Sequence, residues 1–355
     1  MIICHVDLEK GFRGGERQAS ILIKELSQDS SISQYLVCRA QSPLREFLKD
    51  TPNLTFISAK SPLQGHFKLL KKADILHCHD GRGAQWCGVH HLLFNTPFVI
   101  SRRVPKAVRN SLVNRYIYSK VSKLVPISNC ISRALFESIG KAVDLKSKST
   151  TIYDAFEKTE ADIQAVQHIK AQYQGKTIIG HIGAYVDRHK GQSVFIDAGK
   201  KFTEKHPDTV FLFLGAGDDL ERFKTQAKDE RFKFLGFKKN VVDYIEAFDL
   251  FAFPSRNEGL GSTLLDVMDH NIPIIASNVD GIPEIVIHEK TGLLFENGNA
   301  DDLYSKLEQM YQDKQLQQTC INNAKAQLDN FTAEHMTQSY KALYEEILKG
   351  KLANE

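Results

Sequence analysis

The segment that most constrains this chain runs from Phe251 to Asp266. Asp249-Leu-Phe-Ala-Phe253 is a short apolar run that reads as a buried strand, and Pro254 ends it because proline cannot donate to a sheet ladder. A loop carrying Glu258, Gly259, Leu260 and Gly261 follows, and Thr263 to Met268 shows helical apolar spacing with Ser262 placed to cap it. A strand, a glycine loop and a helix start leave backbone N–H groups unpaired at the positive end of a helix dipole. Such a place suits an anionic group, a phosphate above all. A glutamate beside it makes sense if its carboxylate holds hydroxyls next to the phosphate. A sugar nucleotide has that layout, and Asp266, about one turn into the helix, could accept bonds from ribose hydroxyls.

A chain of 355 residues exceeds what one hydrophobic core usually supports, so two domains are expected. With 42% hydrophobic and 25% charged residues the composition is that of an ordinary soluble globular protein. No apolar run approaches the roughly 18 residues of a membrane span, and the N-terminus has no signal-peptide pattern. Six scattered cysteines form no C-x-x-C pair and suit a reducing, cytoplasmic setting. A net charge of +3 gives no reason to expect nucleic acid as a partner.

Strand candidates at residues 2–6, 35–38, 54–57, 75–79 and 98–101 alternate with helical or polar stretches, which means a parallel α/β sheet. After the first strand, a loop with Gly11, Gly14 and Gly15 leads into a helix over Glu16–Leu26. In Asp74-Ile-Leu-His-Cys-His-Asp80, His77 and His79 share a strand face; one is expected to pack structurally while His79, with Asp80, faces the site. Adding Cys87, His90 and His91 makes a zinc set conceivable, but the spacing matches no standard pattern, so no metal is assigned. From Arg102 to Lys123 there are seven basic residues, Arg102, Arg103, Lys106 and Arg109 among them, and no acid. That is either a solvated face or a patch for anionic lipid or a phosphorylated acceptor. A second α/β unit opens at residues 176–184, with Gly183 at the end of its first strand. Arg188 and Lys190 then stand just before a helix from Gln192, as a diphosphate clamp would.

These landmarks together resemble retaining glycosyltransferases of family 4, which have the GT-B fold. Glu258-Gly-Leu-Gly-Ser262 with an acid at Asp266 is similar to that family's E-x7-E signature, with Asp in place of the second Glu. The resemblance runs along nearly the whole chain and is strongest from Gly180 to Phe295. It implies two Rossmann-like parallel-sheet domains facing a cleft: an acceptor domain at 1–155, rejoined by a C-terminal helix at 333–355, and a nucleotide-sugar domain at 156–332. Residues 151–156 resemble its interdomain strand. Gly14 and Gly15 would face the donor diphosphate, Lys190-Gly191 match the family's Lys-Gly, and the loop around Phe237 would hold the base. The family arginine falls at Ala184, so Arg188 is expected to replace it. Relatives often carry a histidine at the end of the fifth strand, where this chain has Ser101-Arg102-Arg103. An arginine pair suits an anionic acceptor better than a proton transfer.

What the resemblance implies is therefore a metal-independent transfer of a hexose-type sugar from a nucleotide donor, UDP-linked as the leading expectation, to a glycan or glycolipid. Lipopolysaccharide or another cell-envelope polysaccharide would be the product, made in the cytoplasm or at the inner face of its membrane. No D-x-D triplet occurs in the chain, in keeping with that chemistry. A UDP-sugar epimerase of the same fold and a non-catalytic, membrane-associated binding protein are the alternatives.

Overall fold

The computed structural model describes residues 1–352 and divides into two compact units, Met1–Ala155 with Phe331–Glu355, and Phe156–Asn330. The first holds a parallel sheet of β1 (Ile2–Asp7), β2 (Ser33–Cys38), β3 (Leu54–Ser58), β4 (Ile75–Cys78), β5 (Phe98–Arg102) and β6 (Lys123–Pro126). Its spatial order is β3-β2-β1-β4-β5-β6. The second holds β7 (Thr177–Ile182), β8 (Thr209–Leu214), β9 (Phe232–Phe234), β10 (Leu250–Phe253), β11 (Ile274–Ser277) and β12 (Leu293–Phe295). Its order, β12-β11-β10-β7-β8-β9, is the same doubly wound topology.

The strands form where runs of Ile, Val, Leu and Phe have both faces covered, since crossover helices coat a parallel sheet on each side. All of β8 and β10 is buried. Both sheets also begin alike. The Asp74 carboxylate accepts the Ile2 N–H at 2.7 Å, and Asp249 accepts that of Ile178 at 2.7 Å. One aspartate before the fourth strand thus fixes the start of the first strand in each unit. In this topology the strand order reverses between β1 and β4, and between β7 and β10. Ligands of doubly wound sheets settle at the carboxyl ends of those pairs.

The C-terminal helix, Ala333–Leu352, packs Met336, Tyr340, Leu343 and Tyr344 onto the core of the first unit beside Ile3, Ile75, Val99 and Val125. Polar bonds reinforce this packing. His77 Nδ1 lies 2.6 Å from the Tyr344 hydroxyl and its Nε2 2.7 Å from Ser101 Oγ, which is 2.6 Å from the Tyr340 hydroxyl. His77 is thus the structural histidine of the β4 pair.

Residues 151–156 do not join a sheet as a strand. The Gln18 side-chain amide donates to the Ala155 carbonyl at 2.6 Å and accepts from the Ala155 N–H at 2.9 Å, taking the place of a ladder partner. The first helix begins at Gly14, two residues earlier than its apolar spacing marks, because the Glu16 carboxylate accepts the Arg13 N–H at 2.6 Å and stabilises that turn. In the region of Cys87, His90 and His91, His90 instead pairs with His66 at 3.3 Å and with the Leu70 carbonyl, and His91 with the Thr96 carbonyl.

Because His77 is fully buried, removing its partner leaves a ring nitrogen unsatisfied. Tyr344→Phe is expected to lower stability by about 1–3 kcal/mol, read as a shift of the denaturant midpoint at unchanged slope. A change below about 0.5 kcal/mol would show that the tether contributes nothing.

Candidate functional site

At the carboxyl ends of β7 and β10 the second unit brings together the two residues its sequence singles out most strongly. The chain leaves β7 through Gly183, makes one helical turn over Asp187–Lys190, and reverses at Gly191 with φ of 63°. A Cβ at Gly191 would run into the Pro254 carbonyl oxygen, so only glycine allows this approach. The Arg256 N–H then donates to the His189 carbonyl at 2.8 Å. The loop after β7 is thereby stitched to the loop after β10. As a consequence Lys190 Nζ sits 2.5 Å from Glu258 Oε2, with side chains 25% and 19% exposed. The ammonium also lies 5.4 Å from the Phe253 ring.

The Glu258 loop has its own supports. The Glu258 N–H donates to the Asp280 carboxylate at 3.0 Å, and Gly281, which donates to the Glu258 carbonyl at 3.2 Å, packs so closely on Gly259 that a side chain there would clash. Gly261 takes φ of 89° and is the N-cap of the helix Ser262–Asp269. Ser262 is therefore the first helical residue and not the cap. The turn needs a left-handed residue at 261, and the glycine there brings no capping side chain; the Leu264 N–H donates to the Gly261 carbonyl at 2.8 Å, and the first turn of the helix points its N–H end toward the Glu258 loop. Asp266 lies half-buried one turn further on. Arg188 is exposed on the turn before Lys190, and its carbonyl accepts from Asn257 Nδ2 at 3.4 Å. Phe237 follows Gly236 (φ 72°) in the loop after β9 and is 73% exposed.

One neighbour was not marked by its sequence context. His181, in β7, is fully buried under Gly183, and a Cβ there would stand 3.2 Å from its Nε2. Its Nδ1 lies 3.0 Å from the Ala252 carbonyl, which can only accept, so Nδ1 carries the proton and Nε2 the lone pair. Burial pulls its pKa down to about 4 and keeps the ring neutral beside Lys190. A histidine inside an otherwise aliphatic strand was the available signal.

In the first unit the carboxyl ends of β1, β4 and β5 carry Asp7, His79 and Arg103. His79 is buried, with Nε2 3.0 Å from His5 Nδ1 and Nδ1 3.5 Å from Arg103 Nη1. Asp80 is a helix cap, accepting the Arg82 and Gly83 N–H groups at 3.0 and 2.9 Å, and also that of Leu8. His5, His77 and His79 cluster closely enough to offer three ligand atoms to a metal, yet their nitrogens are engaged with Gln34, Tyr344, Ser101 and Arg103.

The basic run divides. Arg103 is drawn inside, its side chain 8% exposed and its Nε donating to Asp154 Oδ1 at 2.9 Å. Arg102 turns back to the Lys106 carbonyl at 2.6 Å. Lys106 and Arg109 are exposed. Arg103 is thus not part of a surface patch; the buried Asp154 carboxylate holds it in the interior. It lies against Gly15, where a Cβ would stand 3.9 Å from Arg103 Cδ, and Gly14 next to it is exposed.

Two units of one doubly wound topology, with an acid–base pair and an uncapped helix start at the switch point of the second, define the GT-B class of glycosyltransferase folds. Residues 162–327 match the family Glycosyl transferases group 1. It is 23% identical to the UDP-Gal:alpha-D-GlcNAc-diphosphoundecaprenol alpha-1,3-galactosyltransferase of Escherichia coli, over 98% of each chain. It is 28% identical to the lipopolysaccharide core biosynthesis mannosyltransferase LpsB of Rhizobium meliloti, over 55% of this chain and 57% of that one. Among solved structures, Anabaena Alr3699/HepE in complex with UDP superposes with a TM-score of 0.82 at 18% identity, covering 98% of this chain and 100% of the other, a likeness of fold.

Burial, with Asp80 nearby, pushes the Asp7 carboxyl up to about 7. Between the ordinary carboxylate value near 4 and pH 7, the folded state then keeps a proton that the unfolded chain releases, so this group's contribution to stability falls as pH rises through that window. Asp7→Asn removes the effect. Its stability relative to the parent should climb from pH 4 to 7, by at most about 1.4 kcal/mol per pH unit, and level off above. Melting temperatures of both proteins across pH 4–8 check this, and a constant difference would contradict it.

Proposed function

We propose that this protein is a retaining glycosyltransferase. It moves a hexose-type sugar from a nucleotide-diphosphate sugar, UDP-linked, to an anionic glycan or glycolipid in cell-envelope polysaccharide synthesis. The observation that carries this reading is the Lys190–Glu258 pair beside the uncapped start of the helix Ser262–Asp269. Each partner has chemistry the donor can use better than the other residue can. Lys190 offers a point charge to the diphosphate, and Glu258 offers two acceptor oxygens to sugar hydroxyls. Donor binding therefore replaces one contact by two.

Breaking the bond from sugar to phosphate leaves negative charge on the diphosphate. Fixed positive groups stabilise that charge as it develops, and Lys190 together with the N–H groups after Gly261 supply it. Arg188 on the preceding turn adds a second charge. With these in place the reaction needs no metal. Asp266 takes the ribose hydroxyls, and the exposed Phe237 packs on the base. His181 stays neutral at working pH and so does not compete with Lys190 for the anion.

A UDP donor is supported by the fold neighbour solved with UDP and by the galactosyltransferase relative whose name includes UDP-Gal. An envelope glycan product is supported by that relative and by the lipopolysaccharide-core mannosyltransferase. Charge favours an anionic acceptor. The first unit carries 26 Lys and Arg against 16 Asp and Glu, a net of +10, while the second carries 20 against 27, a net of −7. Lys106 and Arg109 are exposed parts of that excess. No helix among the described residues is long and apolar enough to cross a membrane. The exposed basic residues support peripheral contact with a lipid-linked acceptor at the inner face of the cytoplasmic membrane.

A thermal-shift panel of UDP, GDP, ADP and their hexose conjugates tests the donor. One nucleotide series should raise the melting temperature by a few degrees, and Lys190→Ala should abolish that rise. No shift with any nucleotide at millimolar concentration would overturn the donor assignment.

A further inference from the structure

The first unit contains a buried chain of side chains whose proton positions can be deduced. Gln34 Nε2 is 3.0 Å from the Ile23 carbonyl, which can only accept, so the amide orientation is set and Oε1 faces His5 Nε2 at 3.1 Å. His5 Nε2 must therefore carry a hydrogen. Burial pulls the His5 pKa down to about 3 and keeps the ring neutral, so Nδ1 is a lone pair. That lone pair faces His79 Nε2 at 3.0 Å, which must carry a hydrogen in turn. His79 is also held neutral by burial, so its Nδ1 lone pair is the acceptor for Arg103 Nη1.

Hydrogen bonds thus run in one direction, Arg103 to His79 to His5 to Gln34 to Ile23. They cross the sheet in its spatial order, from beyond β5 through the end of β4 and β1 to β2. On the other side Arg103 Nε donates to Asp154. In this arrangement His79 has no free lone pair to serve as a base, and is a positioning residue for the guanidinium.

Among the described residues, the buried polar atoms without a hydrogen-bond partner at this end of the sheet include Arg103 Nη2, a donor, and Asp7 Oδ2, with Arg102 Nε beside them on the last residue of β5. Asp7 stands two residues after His5 on β1 and so shares its side of the sheet. Buried polar groups without partners mark strain, function or a missing ligand. Electrostatics narrow the choice. Arg103 is already paired with the buried Asp154 carboxylate, so little positive potential remains for a second full anion. A donor beside a carboxyl suits a neutral polyhydroxyl group, whose oxygens accept from the guanidinium while its hydroxyls bond the carboxyl.

We propose that Arg103 Nη2 and Asp7 Oδ2 form the subsite that binds sugar hydroxyls of the acceptor, with His79, His5, Gln34 and Asp154 positioning the guanidinium. This rests on the glycosyl-transfer reading and places the acceptor's anionic portion elsewhere, toward the exposed lysine and arginine. The step assigned here is recognition only.

Saturation-transfer NMR of the full chain with methyl α-glucoside, methyl α-galactoside, methyl α-mannoside and the methyl glycoside of N-acetylglucosamine, in the presence of UDP, tests it. At least one glycoside should bind, and Arg103→Gln and Asp7→Asn should each weaken it at least tenfold, with the UDP thermal shift unchanged. His79→Leu should weaken it as well. His79→Gln, whose amide can accept from Arg103 and donate to His5, should restore most of the affinity, which a purely structural role would not produce. Should Arg103→Gln fail to fold, Arg103→Lys serves in its place.

Glycoside binding equal in parent and Arg103 variants overturns the subsite. So does UDP binding without any glycoside binding, or displacement of the glycoside by millimolar phosphate or acetate, which would make the ligand anionic. If a glycoside binds in an Arg103-dependent way but no nucleotide does, the subsite stands and the donor assignment falls.

Discussion

The contact between Lys190 and Glu258 depends on a backbone approach that only one residue type permits. Gly191 must lie flat against the Pro254 carbonyl for the loop after β7 to reach the loop after β10. A side chain at 191 would separate the loops, and an ammonium and a carboxylate moved apart by a few ångströms in water attract each other weakly. The ion pair is mostly shielded from water, with side chains 25% and 19% exposed, and the cost of desolvating both charges offsets much of their attraction. In the proposed reading its importance lies in what it holds ready: one charge for a phosphate and one acceptor for hydroxyls, beside a helix whose cap position is Gly261.

The first unit repeats the topology but uses the same position differently. Where the second unit places a flexible lysine near solvent, the first places an arginine in the interior, held on one edge by Asp154 and on another by a histidine whose proton is displaced to its far side. A guanidinium cannot be deprotonated, and it presents its donors in fixed directions. Holding it from two sides aims the remaining donor. On the proposed reading, one switch point suits a charge that moves to meet a phosphate, and the other a donor that stays where it is.

Much of this was legible in the sequence, for identifiable reasons. Buried parallel strands are apolar throughout, so β8 and β10 read as strands without ambiguity. Lys190-Gly191 and Glu258 were readable because glycine and charge beside a helix start have few structural uses. Other features depend on contacts distant in sequence. Nothing local shows that Gln18 will satisfy Ala155 and keep 151–156 out of a sheet, or that Asp80 will cap a helix. Arg102 and Arg103 are adjacent and chemically identical, and only the buried Asp154 some fifty residues later separates their roles. The His5–His79 relay joins residues from opposite sides of a long crossover, and its direction follows from a single carbonyl, that of Ile23.

The most direct test of the central claim, that Lys190 and Glu258 restrain each other until the donor separates them, is calorimetric titration of Glu258→Gln with UDP and with UDP-hexoses. Loss of the carboxylate frees Lys190 for phosphate but removes the sugar's acceptor. UDP alone should therefore bind several-fold more tightly than to the parent protein, while the extra affinity of the UDP-hexose over UDP disappears. If UDP and UDP-hexose instead weaken by the same factor, Glu258 does no more than support the loop, and the account of the site is wrong.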